Sequence, residues 1–164
     1  TNAQTLLKSP KEAAELNMIT DLLRNDIGKI AKLGSVQLKA HRQLLKTANL
    51  YHTYSEIHGR LATDPITALI SMLPAGSITG CPKKRACQII DQLEPQTRGI
   101  YTGVIGYIEP KTQNLQFSVA IRTIIKKGQN LYLQVGGGIV LDSNNQDEFA
   151  ETLHKAASFQ KLTC

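Results

Sequence analysis

The residues of this 164-residue chain best suited to chemistry are carboxylates at helical spacing toward its two ends. Glu148, Glu151 and Lys155 fall at i, i+3 and i+7, which places them in one narrow stripe of a helix opposite Phe149 and Leu153. Carboxylates so spaced suit a hard cation such as Mg²⁺, which takes one or two protein carboxylates and completes its shell with water and ligand oxygens. Lys155 would then meet the remaining negative charge of the ligand. The same stripe also reads as a solvated charged face. Glu15 precedes Met18, Ile19 and Leu22 by three, four and seven residues and so shares their apolar helix face. It is either a metal ligand or acid–base group at the edge of a core, or a glutamate favoured by the dipole near a helix amino end.

Groups that would receive an anion lie between these acids. Gly136, Gly137 and Gly138 end a strand-like run, where backbone N–H groups approach an anion without a Cβ in the way, or where a bulge bends the strand. The surrounding residues match neither a P-loop nor a dinucleotide fingerprint. Arg122 interrupts the apolar run Val119–Ile125 and is either an anion anchor or an outward-facing side chain. His52 and His58 stand among Tyr51, Tyr54 and Glu56, as proton donors or as satisfied polar groups. No serine or cysteine sits in a nucleophile-elbow context, so a hydrolase triad is not supported.

The elements that must position these groups follow from caps and periodicity. Ser9-Pro10-Lys11-Glu12 has the form of a capping box and predicts a helix from Pro10, with a turn or frayed end near Asn25-Asp26 and Gly28. Alternation at Val36–Lys39 predicts a strand between Gly34 and about Leu44. Thr63-Asp64-Pro65 opens a short helix over 66–73, and the loop Gly76–Gly80 leads to Pro82 and a third helix ending at Leu93. That loop ends at a helix amino terminus, which favours an anion. Period-two runs at 101–108, 115–125 and 130–140 predict an antiparallel meander, and 145–161 returns to helical spacing. Helices followed by strands, rather than strict alternation, predict an α+β fold, a largely antiparallel sheet flanked by helices in one unit without repeats.

Composition narrows the function classes. At 41% hydrophobic and 20% charged residues, with no low-complexity tract, the chain is globular in character. No stretch reaches the roughly 20 apolar residues of a membrane span, and the start is polar, so a cytoplasmic protein without membrane attachment is expected. Cys81, Cys87 and Cys164 match no zinc or redox spacing and are expected as reduced thiols. A net charge of +6 admits a nucleic acid or a small anionic ligand. The basic residues are spread, and Lys83-Lys84-Arg85 lacks interleaved aromatics, so no nucleic-acid partner is expected.

Read together, the stretches Glu15–Asp26, Gly76–Lys83, Tyr101–Tyr107, Ile121–Thr123, Gly136–Val140 and Glu151–Lys155 resemble, in order, the chorismate-binding enzymes. These include anthranilate synthase component I, aminodeoxychorismate synthase, and isochorismate and salicylate synthases. The resemblance implies that Glu15 and Glu151, supported by Glu148, hold Mg²⁺ against the ring carboxylate of chorismate. It makes Tyr101, Arg122, Lys155 and the amides of Gly136, Gly137 and Gly138 the anchors for substrate carboxylates. Ser77 matches a hydroxyl near the substrate, and His52 matches a histidine proposed to assist loss of the C4 hydroxyl. Cys81 replaces a usual alanine, Lys84 a usual apolar residue, and Thr53-Tyr54 a common Leu-Val pair.

Ser77-Ile78-Thr79-Gly80 and Leu93-Glu94-Pro95-Gln96 are more similar to aminodeoxychorismate synthases than to anthranilate synthases. That implies amination of chorismate at C4 to 4-amino-4-deoxychorismate, for para-aminobenzoate and folate synthesis, with ammonia from a glutamine amidotransferase subunit. The alternative is anthranilate formation with release of pyruvate, or another chorismate-utilising reaction. Family enzymes carry a Pro-Ile-Lys-Gly-Thr motif or its alanine counterpart before the region of Glu15. The chain is therefore expected to be a carboxy-terminal portion of such a domain, inactive alone, with exposed sheet edges that favour homo-oligomers.

Overall fold

The computed structural model describes residues 3–46 and 51–160. Lys161 and Cys164, both weighed above, lie outside the described residues. Helices and two-stranded sheets make up the chain, in agreement with the expected α+β class. It divides into two compact units, Thr1–Pro95 with Ile108–Leu115, and Gln96–Tyr107 with Gln116–Cys164.

The first unit is organised on one long helix. After a short α1 (Ala3–Lys8), α2 (Pro10–Ile30) starts where the cap predicts: Ser9 Oγ accepts from Glu12 N at 3.3 Å and Pro10 needs no partner for a missing N–H. The expected turn at Asn25–Gly28 does not occur. Tertiary partners hold Asp26 on the buried face, and the helix runs on until Ala31 N closes it on Ile27 O at 2.9 Å. Thr20, Leu22, Asp26 and Ile30 form its buried residues. Strand β1 (Gln37–Lys46) runs two residues past the expected end near Leu44 and pairs antiparallel with β2 (Tyr51–His58), a strand the alternation did not announce. Their register slips between Ala40 and Gln43, where Arg42 takes φ 53°. This is a bulge that re-aims the side chains beside it. Helix α3 (Pro65–Met72), capped by Asp64 Oδ1, leads to a 3₁₀ turn (Gly76–Ile78) and α4 (Lys83–Leu93), as the Pro and Gly pattern predicts.

The meander of the second half departs from expectation. Strands β3 (Val104–Ile108) and β4 (Leu115–Val119) form one sheet, β5 (Ile124–Lys127) and β6 (Asn130–Leu133) another. The predicted strand 115–125 is cut after Val119. Ala120 donates to Gly103 O at 2.8 Å and accepts from Thr102 N at 2.9 Å, then Arg122 adopts φ 50°, which no extended strand accommodates. The run expected over 130–140 leaves its ladder at Leu133. Gly106 is required within β3: a Cβ there would strike the Gln116 carbonyl and the Phe117 backbone. Helix α5 (Asn145–Gln160) begins on Asn144, whose Oδ1 accepts from Gln146 N and Asp147 N. Its apolar stripe faces outward, with Phe149 65% and Leu153 55% exposed, and it is Glu148 that is buried.

Candidate functional site

Six of the expected ligand-binding residues meet within the second unit. The segment after β6 is held between Tyr101 and α5. A Cβ on Gly136 would come within 2.8 Å of the Tyr101 hydroxyl, and one on Gly137 within 3.2 Å of Glu148 Oε2. Neither glycine can carry a side chain without displacing one of these groups. Lys155 Nζ donates to Gly136 O at 3.0 Å and pairs with Glu151 Oε1 at 2.7 Å. Ser143 Oγ accepts from Val140 N at 3.1 Å and donates to Glu148 Oε1 at 2.7 Å, which pins the same segment to α5 a second time.

The result is a bare peptide wall with a phenol, two carboxylates and an ammonium along it. Such a wall offers N–H donors to an anion at close range, and carboxylates to a hard cation beside it. Glu148 and Glu151 supply oxygen donors of the kind Mg²⁺ takes, one or two carboxylates with water and ligand completing its shell, while among the described residues no group of three or more His, Cys, Asp or Glu side chains gathers to hold an ion. Arg98, which sequence reasoning passed over, adds a second cation. Its guanidinium lies 5.7 Å from the Tyr101 ring centroid, and Nη1 donates to Thr102 Oγ1 at 3.3 Å. Its only sequence signal was its spacing three residues before Tyr101. Arg122 stands exposed on the turn between β4 and β5, and Gly138 is half-buried beyond Gly137.

In the first unit Glu15 lies half-buried in the second turn of α2, His52 opposite Leu45 on β2, and Ser77 in the 3₁₀ turn. A polar chain ties the hairpin to the helix. Thr20, only 5% exposed, places Oγ1 at 2.6 Å from Leu16 O and 3.0 Å from Ser55 Oγ, and His41 Nδ1 lies 2.9 Å from the same serine. Ser55 opposes the β1 bulge, which turns His41 toward it. By the pleat, His52 belongs to the face opposite Ser55, so it looks away from the side that meets Thr20. None of this chain was signalled by spacing, because its members come from three elements.

The loop Gly76–Gly80 does receive an anion, but one of the chain's own. Asp26 Oδ2 accepts from Gly76 N at 3.3 Å, and Lys83 Nζ reaches both Asp26 oxygens at 2.9 and 2.8 Å. Burial raises the Asp26 carboxyl, but the hydrogen bonds from Lys83 and Lys29 and their charges outweigh it, so its pKa lies below the ordinary aspartate value. An open cleft of about 610 Å³ is lined by Lys32, Lys39, His58 and Arg60, and of the residues weighed from the sequence for chemistry it contains His58 alone. It adjoins the carbonyl end of α2, where cations are favoured without a ligand.

Residues 1–161 match the family described as chorismate binding enzyme. The chain is 44% identical over 161 residues to anthranilate synthase component 1 of Lactococcus lactis subsp. lactis, covering 97% of this chain and 35% of that protein. It is 38% identical over 161 residues to aminodeoxychorismate synthase component 1 of Bacillus subtilis, with 97% and 34% covered. The crystal structure of anthranilate synthase component I from Streptococcus pneumoniae superposes with a TM-score of 0.85 at 43% identity, over 95% of this chain and 36% of that one. The chain thus spans about a third of the length of the relatives it matches. With a match along almost its whole length, it belongs to the chorismate-binding enzyme family.

Proposed function

We propose that this chain is the carboxylate-binding portion of an enzyme that replaces the C4 hydroxyl of chorismate with ammonia, giving 4-amino-4-deoxychorismate and water, and that the portion alone does not turn over. The observation that carries the substrate class is the gathering of Tyr101, Gly136, Gly137, Glu148, Glu151 and Lys155 in one unit. Amide donors and the Lys155 ammonium suit a carboxylate, while Glu148 and Glu151, with Glu15 added from the family resemblance, are the residues that would hold Mg²⁺. Bound there, the ion would neutralise a substrate carboxylate that the glutamates alone would repel. Tyr101 and Arg122 are assigned to anchor the dianion, Ser77 to contact the substrate, and His52 to protonate the departing hydroxyl. Ammonia is assigned to a glutamine amidotransferase partner, in keeping with the component 1 names of the relatives.

The Ser77–Gly80 and Leu93–Gln96 sequences favour C4 amination over anthranilate formation. Higher identity to anthranilate synthases, 44% against 38%, favours the second reading, in which pyruvate is also released. Incubation of the whole enzyme that carries this chain with chorismate, Mg²⁺ and ammonium, followed by chromatography and mass detection, separates them. A non-aromatic amino product without pyruvate is expected. Anthranilate with stoichiometric pyruvate would establish the second reading, and unconsumed chorismate would reject both.

A further inference from the structure

The two longest family-like stretches of the first unit end at Asp26 and at Lys83, and the structure joins those ends. Asp26 is 3% exposed on α2. Lys83 spends its three ammonium hydrogens on the two Asp26 oxygens and, at 3.2 Å, on the carbonyl of Met72 at the end of α3. Gly76 N adds a bond to Asp26 Oδ2, and a Cβ on Gly76 would come within 3.2 Å of that oxygen and of Leu22 Cβ. Thr79 N and Gly80 N then close the turn on Gly76 O, and Thr79 Oγ1 caps it from the side onto Ala75 O. One ion pair therefore fixes the end of α3, the start of the 3₁₀ turn and the first turn of α4 to a single point of α2. Lys83 is committed inward, whereas its neighbours Lys84 and Arg85 are exposed.

We propose that Asp26 and Lys83 are the positioning pair for the Gly76–Gly80 turn, and that Lys83 serves substrate binding only by setting the place of Ser77. The substrate half of this rests on the function proposed above. The turn half does not. Direct contact of Lys83 with an anionic ligand would require it to surrender bonds of 2.9 and 2.8 Å to a buried carboxylate, which would leave Asp26 only the longer bonds from Lys29 Nζ and Gly76 N, each 3.3 Å. Asp26 also shares its helix face with Glu15. Eleven residues bring an α-helix round to within about 20° of the same direction, roughly 16 Å along the axis. The pair thus anchors the turn to the same face of α2 that carries the proposed metal ligand.

Hydrogen exchange read by mass spectrometry tests the turn half in Lys83→Met. Amides over 76–80 should exchange at least tenfold faster, while those of the β1–β2 hairpin stay within twofold. Unchanged exchange over 76–80 would overturn the proposal. Should Lys83→Met fail to fold, Asp26→Asn keeps an acceptor for Gly76 N and Lys83 while removing the charge, and must show the same local pattern. Steady-state kinetics of the whole enzyme that carries this chain, with chorismate as substrate, tests the rest. Ser77→Ala and Lys83→Met should each raise KM about tenfold with kcat within threefold, and the double variant should be no worse than either. Independent, multiplying losses would show that Lys83 does not act through Ser77. If Ser77→Ala is silent while exchange over 76–80 rises, the substrate role of Ser77 fails and the positioning pair stands.

Discussion

Gly136 offers the sharpest perturbation of the glycine wall. An added methyl would sit 2.8 Å from the Tyr101 hydroxyl oxygen, closer than side-chain carbons sustain, whereas the ring carbon beneath is at 4.0 Å, an ordinary contact. The wall and the phenol must part by about 0.5 Å to restore van der Waals distance. Lys155 holds Gly136 O from the other side at 3.0 Å, so the wall cannot yield freely. Overpacking of this size costs about 1–3 kcal/mol. Tyr101→Phe deletes only the colliding oxygen, so Gly136→Ala placed in that background should lose most of its penalty. Urea unfolding of the wild type, the two single variants and the double variant gives the coupling directly, with m required to stay constant. A coupling of about 1–2 kcal/mol is expected, and additivity within about 0.3 kcal/mol would refute the contact as drawn.

Gly106→Ala meets backbone rather than a movable hydroxyl, at the Gln116 carbonyl and Phe117 Cα. It should therefore destabilise by about 3 kcal/mol or more, read by the same denaturation, with no rescue from any single side-chain deletion. The depressed pKa of Asp26 gives a pH signature: its stabilising contribution is complete above the unfolded aspartate pKa of about 3.9 and is lost as pH falls through the lower folded value. The stability gap between wild type and Asp26→Asn should be flat from neutral pH to about 4 and narrow below it; a gap that widens on acidification contradicts the pairing. Ser143→Ala removes the donor that orients Glu148. Titration calorimetry should show Mg²⁺ affinity lowered about 10–100-fold in the presence of chorismate, and an unchanged affinity would remove Glu148 from the ligand set.

What the sequence made legible was local. Ser9, Asp64 and the two prolines that follow them mark helix starts by chemistry confined to a few residues, and the structure begins both helices there. The alternation at 115–125 misled because period two says nothing about where a chain must turn, and Arg122 turns with a positive φ that no sequence pattern announces. Asp26 misled in the opposite way: its turn propensity is real, and a lysine 57 residues away overrides it. Glu148, Glu151 and Lys155 on α5 were readable as a stripe, yet the direction of that stripe was not. Phe149 and Leu153 face outward, so amphipathic spacing alone would have buried the wrong side. The Thr20–Ser55–His41 chain, Arg98 beside Tyr101 and the Asp26–Lys83 pair all depend on contacts between elements, which spacing along one element cannot reveal.

The central proposal is that the α5 glutamates bind Mg²⁺ where a substrate carboxylate meets the glycine wall. Equilibrium dialysis of chorismate against the protein, with and without Mg²⁺, tests it most directly when repeated on Glu148→Gln/Glu151→Gln. Mg²⁺ should tighten binding to the wild type at least tenfold and leave the variant unaffected, with far-ultraviolet circular dichroism unchanged between them. Mg²⁺-dependent chorismate binding retained by a folded variant would contradict it.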